Sequence, residues 1–573
     1  MGSFNLLDEP WISVISMDGQ QLDVSLKDVF SHAQEYQCLA GEMEAQNFAV
    51  LRFLLAVVQT VFSRFDSDGK PYEGIELDQR MRQLNTLDSE DYEDDRDACW
   101  DALWKKGAFP EIVNQYLETW RDHFFLYDDR FPFYQVTQKE MSALLPAGKN
   151  PTEMKGRNFN RLISESGHKI AMFSPVRDYK EKDFCKRDAM TSAQLARWLI
   201  MLQGYFGVSD KASAVKDGRK SAIGWLYGLG GTYIKGSNLF ETMMLNFIPV
   251  HSDDGFKFSP QSPCWEHSGY ENAEKLIRGD AVDNFAELYT NWSRAIVIDP
   301  KVQNQAEKVV YTAKLPVISN NENLFLEPMT IWQEGKKPKG DKKLKGDEKS
   351  KGDEKTYLPM KYKPEQALWR NFGMIVPTSS AANGMKTPLV IKCLNSHRRL
   401  IGDKVITICA VSMKDNGNAT SLVITDELAD ELSVNDMAIT DETDRGWIVR
   451  ISEAVDTTKN VVAMYRRFLA KVAEIRGISE KSRKPFVAAG EEDFYQSLNY
   501  PFREWLISIK PENSKDQKIS EWHEELKSIA NAEAREIVDQ ATVRDYMGSN
   551  KNGGDNIVTA YQKFIGGISK ILK

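Results

Sequence analysis

The chain has 573 residues, room for several domains at about 150 residues each, and 42% of them are hydrophobic and 27% charged. That is ordinary for a globular protein, and 13 Trp and 27 Phe can fill large cores. A formal net charge of -9 excludes a protein that coats nucleic acid with its whole surface, so any grip on phosphates must come from local basic patches. Six cysteines, at 38, 99, 185, 264, 393 and 409, form no CxxC pair. This speaks against a zinc ribbon or a disulfide scaffold, and for reduced thiols in a cytoplasm. The start, MGSFNLLDEPW, shows no charged region followed by an apolar core, so no signal peptide is expected. The longest apolar run, near Phe48 to Phe62, is broken by Arg52 and Gln59 and reads as too short to span a bilayer. The expectation is a soluble cytoplasmic protein with no membrane contact.

Phe4 to Leu22 reads as a strand pair with a turn at Asp18-Gly19. Glu42 to Phe65 has a helical apolar face at Leu51, Leu54, Leu55 and Val58. A second helix is expected over Glu111 to Phe125, followed by a rigid aromatic corner, Arg130-Phe131-Pro132-Phe133-Tyr134-Gln135.

The stretch from Lys155 to Arg187 draws the eye next. Its basic residues are Lys155, Arg157, Arg161, Lys169, Arg177, Lys180, Lys182, Lys186 and Arg187. Glu165, Asp178, Glu181 and Asp183 dilute these nine cations, which leaves an excess of five positive charges. Phe159, Phe173, Tyr179 and Phe184 are threaded between them. A cationic loop bearing rings suits nucleic acid, because cations displace counterions from phosphates and rings pack on bases. The competing reading is a solvated surface excursion. The loop stops where Thr191 and Gln194 have capping-box spacing, ahead of a buried stripe of Leu195, Trp198, Leu199 and Leu202. A firm helix start favours a presented loop over a floppy tail.

A second basic segment runs from Asp210 to Ser221, with Lys216, Gly218, Arg219 and Lys220 at its centre. Gly218 lets a backbone approach a groove or phosphate with no side chain in the way. The later glycines lack the GxxxxGK[ST] spacing of a phosphate loop and read as tight turns between strands. Leu239 to Val250, Leu288 to Asp299 and Val309 to Ile318 read as strands. Cys264 and His267 form a lone CxxH without a second pair, so no metal site is expected. Residues 335–356 repeat Lys, Gly and Asp, which cannot bury a core and reads as a flexible insertion. Val405 to Met413 is a strand, and Asn416-Gly417 is a strong hairpin-turn signal before the next strand at Leu422 to Ile424. Such a hairpin would hold out a small polar tip.

From about Trp447 the pattern turns helical. Ile451 to Ile475, Glu491 to Ile509, Gln517 to Tyr546 and Asn556 to Leu572 carry the 3.6-residue period, with Trp522, Leu526, Ile529 and Ile537 illustrating it. Breaks are expected near Gly477 to Pro485, at Pro511 and at Gly553-Gly554. The expected fold is α+β. A large mixed domain over 1–442 holds out loops, and an antiparallel four-helix bundle follows over 443–573.

No HExxH, GxSxG, Walker A or His-Asp doublet is present. A metal-dependent nuclease built from distant carboxylates stays open as an alternative, as does a purely architectural scaffold for RNA. The order of FNLLDEPWI, GHKIAMFSP, GLGGTYIKGSNLFETMMLN, FLEPMTIW and the helical tail resembles the CasA family, the large subunit of the type I-E CRISPR complex Cascade. The similarity spans nearly the whole chain. It implies a non-catalytic subunit with no cofactor that recognises the PAM, the short flanking motif in double-stranded target DNA. Such a subunit helps open the duplex for guide RNA pairing and recruits a helicase-nuclease. Its other partners would be the guide RNA and the backbone, small and guide-5′-end-binding subunits. By this resemblance residues 155–187 match the family's long loop near the guide's 5′ end, with Phe173 in its aromatic position. Gly218, beside Lys216, Arg219 and Lys220, matches a glycine loop facing the PAM minor groove. Gly417, Asn418 and Ala419 match a strand-separating wedge, although family members can carry Gln where Asn418 stands. The family's minor-groove lysine is expected shortly before Trp332, where this chain has Asn320, Asn321 and Asn323, with Lys314 further back, and no residue here is assigned to it. Some members bind zinc through clustered cysteines that this sequence lacks.

Overall fold

The computed structural model describes residues 2–159, 188–207, 211–214, 223–250, 259–316, 318, 327–335, 357–376, 385–402, 404–415, 417, 424–441, 443, 445–548 and 555–573. The fold is α+β. Two compact units divide the chain: residues 1–364, 384–400 and 409–430 form one, and 365–383, 401–408 and 431–573 the other.

The first unit is built around the helix Glu44–Phe62. Its sequence, with Phe, Leu and Val on every side, leaves no face for water, and 18 of its 19 residues are buried. The expectation of a single apolar face was therefore too narrow. By length and composition this helix also passes for a membrane span, contrary to the reading of the sequence, but it is buried throughout and serves as a core helix. Trp11 and Trp265 pack edge-on against its Phe53, at 5.9 and 5.4 Å between ring centres. The expected aromatic corner is real: Phe133 and Tyr134 are buried, and Phe133 also stands 5.7 Å from Phe53.

The helices Ser192–Tyr205 and Phe285–Tyr289 pack on this helix, and the chain also forms small antiparallel sheets. Ile12–Ser16 pairs with Gln21–Val24, and Gly19 takes φ +85° in the turn between them, as expected. Val309–Lys314 lies between Thr152–Lys155 and Arg294–Ile298, antiparallel to both. Val405–Asp415 lies between Ile424–Asn435 and Gly230–Lys235.

Some sequence expectations fail for identifiable reasons. Leu239–Asn246 is a helix rather than a strand. The Asn238 side chain accepts from the Glu241 backbone N–H at 2.8 Å, and this cap outweighs the apolar run that looked like β structure. The helix expected over Glu111 to Phe125 spans only Ile112–Thr119 before a turn, and Phe125 pairs with Asn5 in a strand. The strand expected from Leu288 begins at Arg294, because Phe285–Tyr289 is a helix capped by Asn284.

The second unit contains the helices Trp447–Ile475, Glu480–Ile507, Lys515–Asp539 and Ile557–Ile571, and the first of these packs on the other three. Tyr465 meets Phe494 at 4.7 Å and Phe468 meets Phe564 at 5.5 Å. The Trp522 indole N–H donates to Thr458 Oγ1 at 2.9 Å, which satisfies a buried polar group inside the bundle. The buried stripe of Lys515–Asp539 is Trp522, Leu526, Ala530 and Ala534, so Ile529 and Ile537 flank it rather than define it. The break expected near Gly477 to Pro485 falls between Ile475 and Glu480, and Glu480–Ile507 then runs through both Pro485 and Pro501. Each proline removes one backbone bond, and the burial of Phe494, Leu498, Phe502 and Leu506 outweighs that loss.

Candidate nucleic-acid interface

The three-stranded sheet around Val309–Lys314 carries the roots of the first basic loop. Thr152–Lys155 forms its edge, and a single helical turn, Gly156–Phe159, follows. The returning chain is clamped directly beside this point. The Gly156 N–H donates to Lys308 O at 2.8 Å, the Lys308 N–H to Asp188 O at 2.9 Å, and the Met190 N–H to Ala306 O at 2.9 Å. Gly156 lies so close to Asp188 O that a side chain there would collide with it. Asp188 closes the neck from the other side. Its Oδ1 accepts the Arg157 backbone N–H at 2.8 Å and Nε at 2.8 Å, and its Oδ2 accepts Nε at 3.0 Å as well as the terminal guanidinium nitrogen. Burial raises the affinity of this carboxyl for a proton, but the Arg157 hydrogen bonds outweigh it and hold the group below the usual aspartate range. Lys308 donates to the carbonyls of Val302 and Gln303 at 2.9 and 3.1 Å, and burial pushes its pKa down. The capping box at Thr191 and Gln194 is present, and Ser192–Tyr205 is the helix expected behind the loop, with Leu195, Trp198, Leu199 and Leu202 buried.

The second basic segment is rooted on the same edge strand. Thr152 Oγ1 accepts the N–H groups of Lys211 and Ala212 at 3.1 and 3.0 Å. Lys314 bonds through its backbone to Ala212 O at 3.0 Å and accepts from the Ala214 N–H at 2.9 Å. Thr152 and Lys155 are three residue steps apart along the strand, a distance of about 10 Å. The far side is fixed where the Gly224 N–H donates to Phe206 O at 2.9 Å, with Gly224 backed so closely onto Gly204 that no side chain fits.

A buried polar node stands just beyond. Arg52 of the core helix donates two hydrogen bonds to Glu327, at 2.8 and 3.0 Å. Trp225 Nε1 donates to the same carboxylate at 2.6 Å, and the Met329 N–H at 3.0 Å. Burial pushes the Arg52 pKa down and the Glu327 charge more than restores it, so the guanidinium stays charged.

The neighbouring strands Val405–Asp415 and Ile424–Asn435 flank the expected tip, of which Gly417 is the described residue. Gly417 has φ +68°, a left-handed conformation that glycine adopts without strain, and its N–H donates to Asp415 Oδ1 at 2.9 Å. Asp415 pairs with Lys361 at 3.3 Å, and Lys361 lies over the Tyr227 ring at 4.5 Å, two residues past Trp225. Lower on the hairpin, Glu427 accepts the Ala45 N–H at 2.6 Å at the start of the core helix, where Met43 offers no side-chain cap. Burial raises the Glu427 pKa to about 7.

Of the residues singled out in the sequence, Lys155 is exposed on the edge strand, and Arg157 is held by Asp188. Lys314 is half-buried at the end of the central strand, and Gly417 sits in the turn. Arg161, Lys169, Phe173, Arg177, Lys180, Lys182, Lys186, Arg187, Lys216, Gly218, Arg219, Lys220, Asn320, Asn321, Asn323, Asn418 and Ala419 lie outside the described residues, as does most of the 335–356 insertion. What the structure adds is the framework at their roots: Thr152, Asp188, Arg52, Glu327 and Glu427. Apart from Asp188, none had a sequence signal beyond being polar. Asp188 offered one hint, as the lone acid after Lys186-Arg187 and before a capped helix.

Residues 5–532 match the family described as CRISPR-associated protein Cse1 (CRISPR_cse1). The CRISPR-associated protein CasA/Cse1 of Thermus thermophilus is 27% identical over 273 residues, a match covering 46% of this chain and 43% of that protein. The crystal structure of Thermobifida fusca Cse1 superposes with a TM-score of 0.76 at 23% identity, covering 100% of this chain and 98% of that one. A chain of a solved CRISPR RNA-guided surveillance complex gives a TM-score of 0.65 at 15% identity, covering 99% and 100%. With nearly the whole length matched, this chain belongs to the CRISPR-associated Cse1 family.

Proposed function

We propose that this chain is a non-catalytic subunit of an RNA-guided CRISPR surveillance complex, where it recognises the PAM in duplex DNA, helps open the duplex and recruits a helicase-nuclease. The observation that carries this reading is the shared framework. Two cationic segments, predicted separately, are rooted about 10 Å apart on the strand Thr152–Lys155, and Gly417 belongs to the same unit. The 155–187 loop would lie along the guide RNA, and Lys216, Arg219 and Lys220 would meet phosphates while Gly218 approaches the minor groove. That groove distinguishes base pairs poorly, so short and loose recognition by backbone and Asn side chains fits it. Separating a base-pair step costs about 1–2 kcal/mol, so a wedge at Asn418 has to offset only the first steps before guide pairing takes over. The test compares binding of the assembled complex to duplexes that share the target and differ only in the flanking base pairs. This reading predicts strong dependence on the flank, whereas equal binding to all flanks would leave only an RNA scaffold.

A further inference from the structure

The turn at Gly417 is held by a residue far from it in sequence. Asp415, the last residue of its strand, works in two directions. Its Oδ1 accepts the Gly417 N–H at 2.9 Å, and its Oδ2 stands 3.3 Å from Lys361 Nζ. Lys361 lies 54 positions away, and its backbone has little freedom. On one side the Met360 N–H donates to Ile331 O at 2.9 Å, and Met360 O accepts the Gly230 N–H at 2.9 Å. On the other side Tyr362 is buried, and its hydroxyl shares a hydrogen bond with Thr232 Oγ1 at 2.7 Å. Gly230 approaches Met360 O and Tyr362 so closely that no side chain fits there. From this fixed point the Lys361 ammonium reaches over the Tyr227 ring, 4.5 Å from its centre. Burial pushes its pKa down, and the Asp415 charge opposes that. Among the described residues, nothing lies within 4 Å of where a Cβ on Gly417 would stand, so packing does not fix the turn. The Lys361–Asp415 pair supplies what packing does not.

We propose that Lys361 is a positioning residue that sets the Gly417 turn in place before DNA arrives, by fixing the Asp415 carboxylate that holds the Gly417 N–H. This rests on the reading of the turn as a duplex-opening tip, given under Proposed function, and names what preorganises it. A tip that is already ordered loses less conformational freedom when the first base pair opens. Lys361 acts through Asp415 and not on the bases.

The test uses the assembled complex and two duplexes that share target and flank, one fully paired and one already unpaired at the first positions beside the flank. 2-Aminopurine at those positions reports opening by its fluorescence. Lys361→Met removes the charge and keeps most of the side chain's length. Asp415→Asn keeps an oxygen acceptor for the Gly417 N–H and removes the charge facing Lys361. Each should weaken opening of the paired duplex about fivefold, the effect of losing a partly buried ion pair, and leave affinity for the unpaired duplex unchanged. The double variant should lose no more than either single one, because both act on one contact. Lys361→Arg keeps the charge and the ring contact and should restore opening. Equal loss on both duplexes, additive losses, or an arginine no better than methionine would overturn the proposal. Gly417→Ala is the control, since alanine is strained at φ +68°. If this control impairs opening while Lys361→Met and Asp415→Asn do not, the positioning role falls and the reading of the tip stands. If the control leaves opening unchanged, the reading of the tip itself falls. Should Lys361→Met prevent assembly, Asp415→Asn decides through the same comparison of the two duplexes.

Discussion

Replacing Asp188 by Ala tests whether the neck of the first basic loop is held as described. The substitution removes the acceptor of the Arg157 backbone N–H and the partner of its guanidinium. The hydrogen bond from a backbone N–H to a buried carboxylate contributes about 1.5 kcal/mol. The Arg157 side chain is 32% exposed, so solvent screening limits its ion-pair share to roughly 0.5 kcal/mol. The neck should thus lose about 2 kcal/mol, which raises its open population roughly thirtyfold. Because the Asp188 carboxyl is held below the ordinary range, this stabilisation is complete above its unfolded pKa and fades as pH falls through the lowered folded value. At pH 7 the full effect is expected. Hydrogen exchange of the Gly156 and Lys308 amides reads it directly, since both close the neck. Exchange about thirtyfold faster at these two amides, with bundle amides unchanged, is the prediction. Unchanged exchange at both would show that Asp188 does not hold the loop.

Two further outcomes follow from the hairpin. Burial raises the Glu427 pKa to about 7, so the folded chain binds a proton more tightly than the unfolded one, and this contribution to stability is lost as pH rises from about 4.5 to 7. Glu427→Gln should therefore stabilise the chain by up to about 3 kcal/mol at pH 8 and by little at pH 5, measured by urea unfolding; an equal effect at both pH values would contradict the assignment. Asn418→Ala should impair strand opening by the assembled complex more than initial binding, and permanganate footprinting that shows normal opening would reject the wedge.

Signals with short range were legible in the sequence. The Thr191 capping box, the turn at Gly19, the strand at Val309 and the helical tail each depend on neighbours a few residues apart. The chain's family also showed in the order of its phrases. What escaped was set by partners distant in sequence. The apolar run after Leu239 became a helix because Asn238 capped it. The core helix lost its polar face because layers from several parts of the chain enclose it. The pairing of Arg52 with Glu327 crosses 275 positions, and no local pattern marks it. Thr152 carries no local pattern either, and it matters because it accepts the backbone N–H groups of Lys211 and Ala212, some sixty positions away.

The central claim of the proposal is that the second cationic segment, rooted on the same small sheet as the first, grips duplex DNA. The most direct measurement is the salt dependence of duplex affinity for the assembled complex, with and without charge reversal at Lys216, Arg219 and Lys220. Each lost phosphate contact should lower the slope of log affinity against log salt by about 0.9, so the reversed complex should bind more weakly and along a flatter line. Identical affinity and identical slope would contradict the account.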